Sequence, residues 1–175
     1  YHFGRSVLPR QIVSAGGNLL ASPIRLSVSS TGSELPWARQ PAKAVAVSRA
    51  SCTLQAHAMC AALRLEATSL VEFDGFLWFE ASLEPVPSGK FDRLDIAIPL
   101  KADCAKWMLH LDENGKQSEP LNLQAGGKKE LPLEHYFWVG NEKRGLAWFI
   151  ESARGWHLDH PARAIRLVRR PHALE

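Results

Sequence analysis

The chain has little helical periodicity, few cysteines, no long apolar run and no concentration of charge. Each absence removes a class of protein. Three cysteines in 175 residues give no disulfide framework. A bridge between Cys52 and Cys60 would leave Cys104 over, and the plainer expectation is three small buried thiols. The spacing Cys52, His57, Cys60 matches no standard zinc pattern and lacks a fourth ligand, so no metal site is assigned. No apolar stretch approaches the ~18 residues of a membrane span. A net charge of +3 argues against nucleic acid as a partner, since such binders concentrate basic residues on one face. There is no nucleophile elbow, no phosphate loop and no dinucleotide fingerprint. No cofactor is implied, and no residue is assigned a catalytic role.

What is present is an ordinary globular composition, 46% hydrophobic and 22% charged. A chain of this length buries ~70% of its unfolded surface and needs no covalent staple. The expected organisation is a single domain over residues 1–172. Ala173, Leu174 and Glu175 read as vector-derived residues, and the start at Tyr1 reads as a cut from a longer protein.

Apolar residues recur with a period of two. Leu63, Leu65, Ala67 and Val71 alternate with Arg64, Glu66 and Thr68, and Leu77, Phe79, Ala81 and Leu83 alternate with Trp78, Glu80, Ser82 and Glu84. Leu94, Ile96, Ile98 and Leu100 form a third run, and Trp107, Leu109 and Leu111 a fourth. Turn chemistry bounds each run, at Asp74-Gly75, across residues 85–89, and at Asn114-Gly115. The pattern predicts an all-β fold, an antiparallel β-sandwich with a few short helical turns, at residues 56–62 and 101–106. In the N-terminal part, residues 7–13, 23–28 and 44–48 read as strands, and residues 30–41 as a loop. Residues 125–130 read as an exposed turn.

The hairpin at Asp74-Gly75 can be taken to its register. A two-residue turn would pair Phe73 with Phe76 and set apolar residues of one strand opposite polar residues of the other. One further loop residue pairs Val71 with Leu77, Ala67 with Ala81, and Leu65 with Leu83. Arg64 then faces Glu84, and Leu70 faces Trp78. A one-residue slip turns every side chain to the wrong face, so the second register is predicted. It requires a three-residue loop, Phe73-Asp74-Gly75, with Gly75 at positive φ as a bulge.

Candidate site residues gather in two places. The densest aromatic stretch runs from Tyr136 to Trp156 and includes Trp138, Asn141, Glu142, Arg144, Trp148 and Glu151. It reads as strand, six-residue polar loop, strand. The second strand carries large residues on both faces, Leu146, Trp148 and Ile150 on one, Phe149 and Glu151 on the other. That suits either a central core strand or an aromatic platform for a sugar ring. Leu70, Phe76 and Trp78 form the second place, close to the hairpin tip on its polar side. Asp74, Glu142 and Glu151 are the available carboxylates, but no spacing pairs two of them as a glycosidase requires. The five arginines from Arg154 to Arg170 read as a solvated rim, and His157 and His160 would need further ligands to seat a metal.

An ordered set of motifs carries a resemblance. It comprises Gly4-Arg5-Ser6-Val7-Leu8-Pro9, Glu72-Phe73-Asp74-Gly75-Phe76, Ile98-Pro99-Leu100, and Trp138-Val139-Gly140-Asn141-Glu142-x-Arg144-Gly145-Leu146-x-Trp148-Phe149-x-Glu151-Ser152-x-x-Gly155-Trp156. The set resembles the N-terminal β-sandwich domain of glycoside hydrolase family 123-like proteins, which include β-N-acetylgalactosaminidases, and related domains of unknown function. The resemblance implies an accessory sandwich beside a (β/α)₈ barrel that carries the acidic pair. The expected partner is that barrel in the same parent chain, with carbohydrate as a further ligand and an exported location. The expected function is non-catalytic support of the barrel or its carbohydrate cleft. Two alternatives stand beside it, an autonomous carbohydrate-binding module with a Trp platform and a small independent hydrolase.

Overall fold

The computed structural model describes residues 1–112, 115–151 and 161–175. Trp156, His157 and His160 lie outside the described residues. The fold is all-β with antiparallel pairing, as alternation with turn punctuation predicted, and no described helix is long and apolar enough to cross a membrane. The chain forms two compact units, one from Tyr1–Gln11 and Pro23–Ala97, the other from Ile12–Ser22 and Ile98–Glu175.

The first unit is built on the long hairpin Leu63–Glu72 and Leu77–Pro85, which joins Ser51–Met59 on its other side. The register is the predicted one, with Val71 opposite Leu77, Ala67 opposite Ala81, Leu65 opposite Leu83, Arg64 opposite Glu84 and Leu70 opposite Trp78. The loop geometry follows. Gly75 has φ +92°, its amide donates to the Glu72 carbonyl at 3.1 Å, and the Phe76 amide donates to Asp74 Oδ1 at 3.0 Å. Asp74 is thus spent on the turn.

Lys43–Val47 and Ala38–Arg39 both pair with Ser51–Met59 and complete a five-stranded sheet. A second sheet joins Arg93–Ala97, Arg25–Ser30 and Ser33–Glu34. The two sheets close on Val28, Cys60, Ala62 and Leu63, with Leu35, Trp37, Leu83 and Leu94 packed around them. This is a sandwich core, fed by alternate residues of each strand.

Three expectations change here. Residues 56–62 do not form a helical turn, because 56–59 belong to the strand Ser51–Met59. Its Ala-rich end favours helix in isolation, but pairing with Leu63–Glu72 overrides that weak preference. Residues 30–41 are not all loop. Thr31 and Gly32, at φ +49° and +79°, form a two-residue turn that pairs Ser30 with Ser33, and Ala38–Arg39 follows as a further short strand. The strand expected over 7–13 is broken into Pro9–Gln11 and Val13–Ser14.

The second unit holds a four-stranded sheet in the order Gly115–Pro120, Trp107–Asp112, Tyr136–Gly140, Gly145–Phe149. A separate ladder links Lys128–Leu131 to Ile165–Val168 and continues through Ala173–Leu174 to Leu100–Lys101. Leu174 is fully buried and paired with Leu100, so it is part of the fold. Where a helical turn was expected over residues 101–106, Lys101 ends a strand and residues 102–104 form a turn, closed by Cys104 N–H to the Lys101 carbonyl at 3.0 Å. The single described helical turn is the 3₁₀ turn Pro161–Arg163. Cys60 and Cys104 are buried and Cys52 half-buried, and all three thiols are free.

Candidate functional site

Residues directly opposite one another in a sheet share a face, so the register sorts the described side chains of the four-stranded sheet onto two faces. Met108 pairs with Val139, and Val139 with Leu146; His110 pairs with Phe137, and Phe137 with Trp148. This is the inner face, with Met108 and Val139 fully buried. The other face carries Trp107 opposite Gly140, Leu109 opposite Trp138, Trp138 opposite Ala147, and Tyr136 opposite Phe149. Trp107 is 41%, Leu111 47% and Phe149 43% exposed. The sequence places Trp107, Leu109 and Leu111 on the apolar side of its alternation, yet that side is the one open to solvent. The reason is that Met108 and His110 fill the inner side instead.

The glycines explain how the exposed face is assembled. Gly140 and Gly145 oppose each other across two strands. A Cβ at either position would run into the indole of Trp138. The ring therefore lies across both glycines and covers backbone that has no side chains of its own, a device known to secure glycine-containing sheet edges. The loop over residues 141–144 then returns the chain. Asn141 Oδ1 accepts from the amides of Lys143 at 2.9 Å and Arg144 at 3.0 Å, and its Nδ2 donates to the Asp103 carbonyl at 2.9 Å. The loop is four residues long rather than six, because the two glycines form the last rung of the ladder.

Glu142 stands at the rim. Its Oε1 accepts from the Trp107 indole at 3.3 Å and its Oε2 lies 3.7 Å from Lys106 Nζ. Its own backbone amide, then the Trp107 indole and the Lys106 charge, hold the carboxyl below its ordinary value of 4.5. The carboxylate is thus ionised at neutral pH and accepts the indole hydrogen of Trp107. Arg144 crosses Gly17 so closely that a Cβ there would meet its guanidinium, and its Nη2 is 3.9 Å from Asp103 Oδ2.

The motif from Trp138 to Phe149 is therefore accounted for residue by residue, and it lies within the matched region. A family model described as "Glycoside hydrolase 123, third domain" matches residues 2–154. The chain belongs to that family. The match runs through both compact units. The glycoside hydrolase 123 model is of a third domain, so the N-terminal placement implied by the resemblance is not supported by its description. No curated protein and no solved structure matches the chain.

Of the predicted residues, the structure brings Trp138, Asn141, Glu142 and Arg144 together. Trp148 is half-buried on the opposite side of the sheet from Trp138, so the two indoles do not form one platform. Its strand is the last of its sheet among the described residues, not a central one. Glu151 is exposed just past the strand Gly145–Phe149, whose ends are ~13 Å apart, and Glu142 precedes that strand. Phe76 and Trp78 belong to the other unit, where their rings stack at 6.5 Å with 20° between planes.

Sequence reasoning missed Trp107 and a buried polar group. His110 Nδ1 lies 2.9 Å from Glu134 Oε1, and both residues are buried. His110 Nε2 is 3.5 Å from Glu119 Oε1, which pairs with Lys129. The group joins four strand and loop segments, so no local spacing signals it. Among the described residues, no cluster of three or more His, Cys, Asp or Glu is arranged to hold a metal.

Proposed function

We propose that this chain is a non-catalytic accessory domain of a larger glycoside hydrolase, and that the outer face of its four-stranded sheet seats the catalytic barrel of the same protein. The carrying observation is the exposure of Trp107, Leu111 and Phe149 on one sheet face that also presents Leu109, Tyr136 and Trp138. Contiguous apolar patches of this kind mark interaction surfaces. The family is numbered as a third domain, so proteins that carry it carry others. An intramolecular partner fits a face that presents these apolar residues and has the Glu142 and Lys106 pair beside Trp107.

The test is a pair of measurements on Trp107→Ala/Phe149→Ser. The isolated domain should keep its melting temperature within a few degrees. Its affinity for the separately expressed barrel should fall at least tenfold, about 1.4 kcal/mol. Unchanged affinity would remove the face from the interface. A second reading, an autonomous carbohydrate-binding module, draws support from the stacked and partly accessible Phe76 and Trp78.

A further inference from the structure

One end of the five-stranded sheet in the first unit gathers exposed apolar side chains. Two turns lie side by side there, residues 48–50 between Lys43–Val47 and Ser51–Met59, and residues 73–76 at the tip of the long hairpin. The Phe73 amide donates to the Ala50 carbonyl at 2.9 Å and ties the turns together. The register carries one row across this end of the sheet, from Val47 through Cys52 and Val71 to Leu77. Phe73 is 84% and Val47 73% exposed.

The strand Lys43–Val47 is unusual in itself. Four of its five residues are apolar, and all five are exposed. An antiparallel strand ordinarily buries one face, and this one buries neither. Exposed apolar side chains gathered in one place mark a surface that another surface covers.

We propose that this end of the sheet seats the domain that precedes this one in the parent protein, through an apolar surface laid over Phe73 and Val47. The inference rests on membership of the family and not on the barrel interface.

Two observations select that occupant over a free partner. The family is a third domain, so proteins that carry it carry earlier domains. A preceding domain is joined through Tyr1, and Tyr1 lies at the tip itself. Its hydroxyl donates to the Gly75 carbonyl at 2.5 Å, and its ring stacks on Phe3 with centroids 6.2 Å apart. The covalent link thus delivers the preceding domain beside Phe73, and a short link of this kind gives an effective concentration on the order of mM. A modest apolar patch is enough under those conditions.

The edge strand argues against a second copy of the chain. The register shifts between Ala44 and Ala46, which places a bulge at Val45. A bulge bends and twists an edge, and works against the straight pairing that would join two copies edge to edge.

The test compares the full-length parent protein with the isolated chain by hydroxyl-radical footprinting, which labels the side chains that water reaches. Phe73 should be labelled about fivefold more slowly in the parent, because packed interface cores exclude water. Met59 is the control. It is 51% exposed and pairs with Arg64, ~27 Å along the strand from Glu72. Its labelling should be the same in both proteins. Val47→Glu, at an exposed position, should leave the melting temperature of the isolated chain within a few degrees. In the parent it should return Phe73 labelling to within about twofold of the isolated chain. Equal labelling of Phe73 in the two wild-type proteins would overturn the inference. So would protection that Val47→Glu leaves intact, protection that extends equally to Met59, or a dimer of the isolated chain that Val47→Glu dissociates. Trp107→Ala/Phe149→Ser in the parent should leave Phe73 protected, so failure of the barrel interface and failure of this one are read separately.

Discussion

The two large sheets follow one rule and finish differently. Each is antiparallel, and each buries alternate residues on its inner side. On the outer side, the sheet around Leu63–Glu72 carries Arg64, Glu66, Ser82 and Glu84, while the sheet around Tyr136–Gly140 carries Trp107, Leu109, Trp138 and Phe149. The first is what water accepts; the second is what another surface accepts. Alternation identifies two faces in both cases. Only the nature of the outer residues separates a solvated sheet from one awaiting cover.

The inner sides differ as well, and that difference carries the largest expected effect. Under the polar-faced sheet the fully buried Ser69 hydroxyl donates to the Val7 carbonyl at 2.8 Å. Under the apolar-faced sheet lies the buried His110 and Glu134 contact. Glu134 Oε2 has no hydrogen-bond partner among the described residues. His110→Ala would leave the whole Glu134 carboxyl without its one recorded partner, at a cost of about 3–5 kcal/mol. Ser69→Ala should cost about 1 kcal/mol. Urea unfolding of the two variants checks the ratio, and equal losses would remove the contrast.

The next effect concerns the outer surfaces themselves. Gly140→Ala should destabilise by about 1–3 kcal/mol, because the added methyl displaces the Trp138 indole from its seat. Ser82→Ala, on the polar face, should stay within about 0.5 kcal/mol. A neutral Gly140→Ala would mean that the indole is not packed against the glycines.

The smallest effect is electrostatic. Glu142 has a lowered pKa in the folded state, so its contribution is present above the unfolded value and is lost as pH falls through the folded one. Trp107 emission, isolated by difference from Trp107→Phe, should shift on acidification with a midpoint below 4.5. Glu142→Gln should abolish the shift. A midpoint at or above 4.5 would separate the carboxylate from the indole.

Much of this was legible locally. The hairpin register followed from alternation alone, since a slip by one residue exposes Leu65 and buries Arg64. The Gly75 bulge followed from the register. The Ala-rich stretch at 56–59 was misread because helix propensity is a weak local preference and a strand partner is a remote fact. Trp107 was passed over for a related reason. Its run alternates correctly, but alternation does not say which side lies inward.

The sequence by itself determined that strands form, where they turn, how the central hairpin is paired, and which family the motifs resemble. These depend on neighbours a few residues apart, or on two strands joined by a short loop. The tertiary structure alone decided that Met108 and His110 point inward rather than Trp107 and Leu111, that Trp148 and Trp138 lie on opposite sides, and that His110 meets Glu134. Each of these rests on pairing or packing between segments that are distant along the chain, where burial is shared among elements and no single segment encodes it.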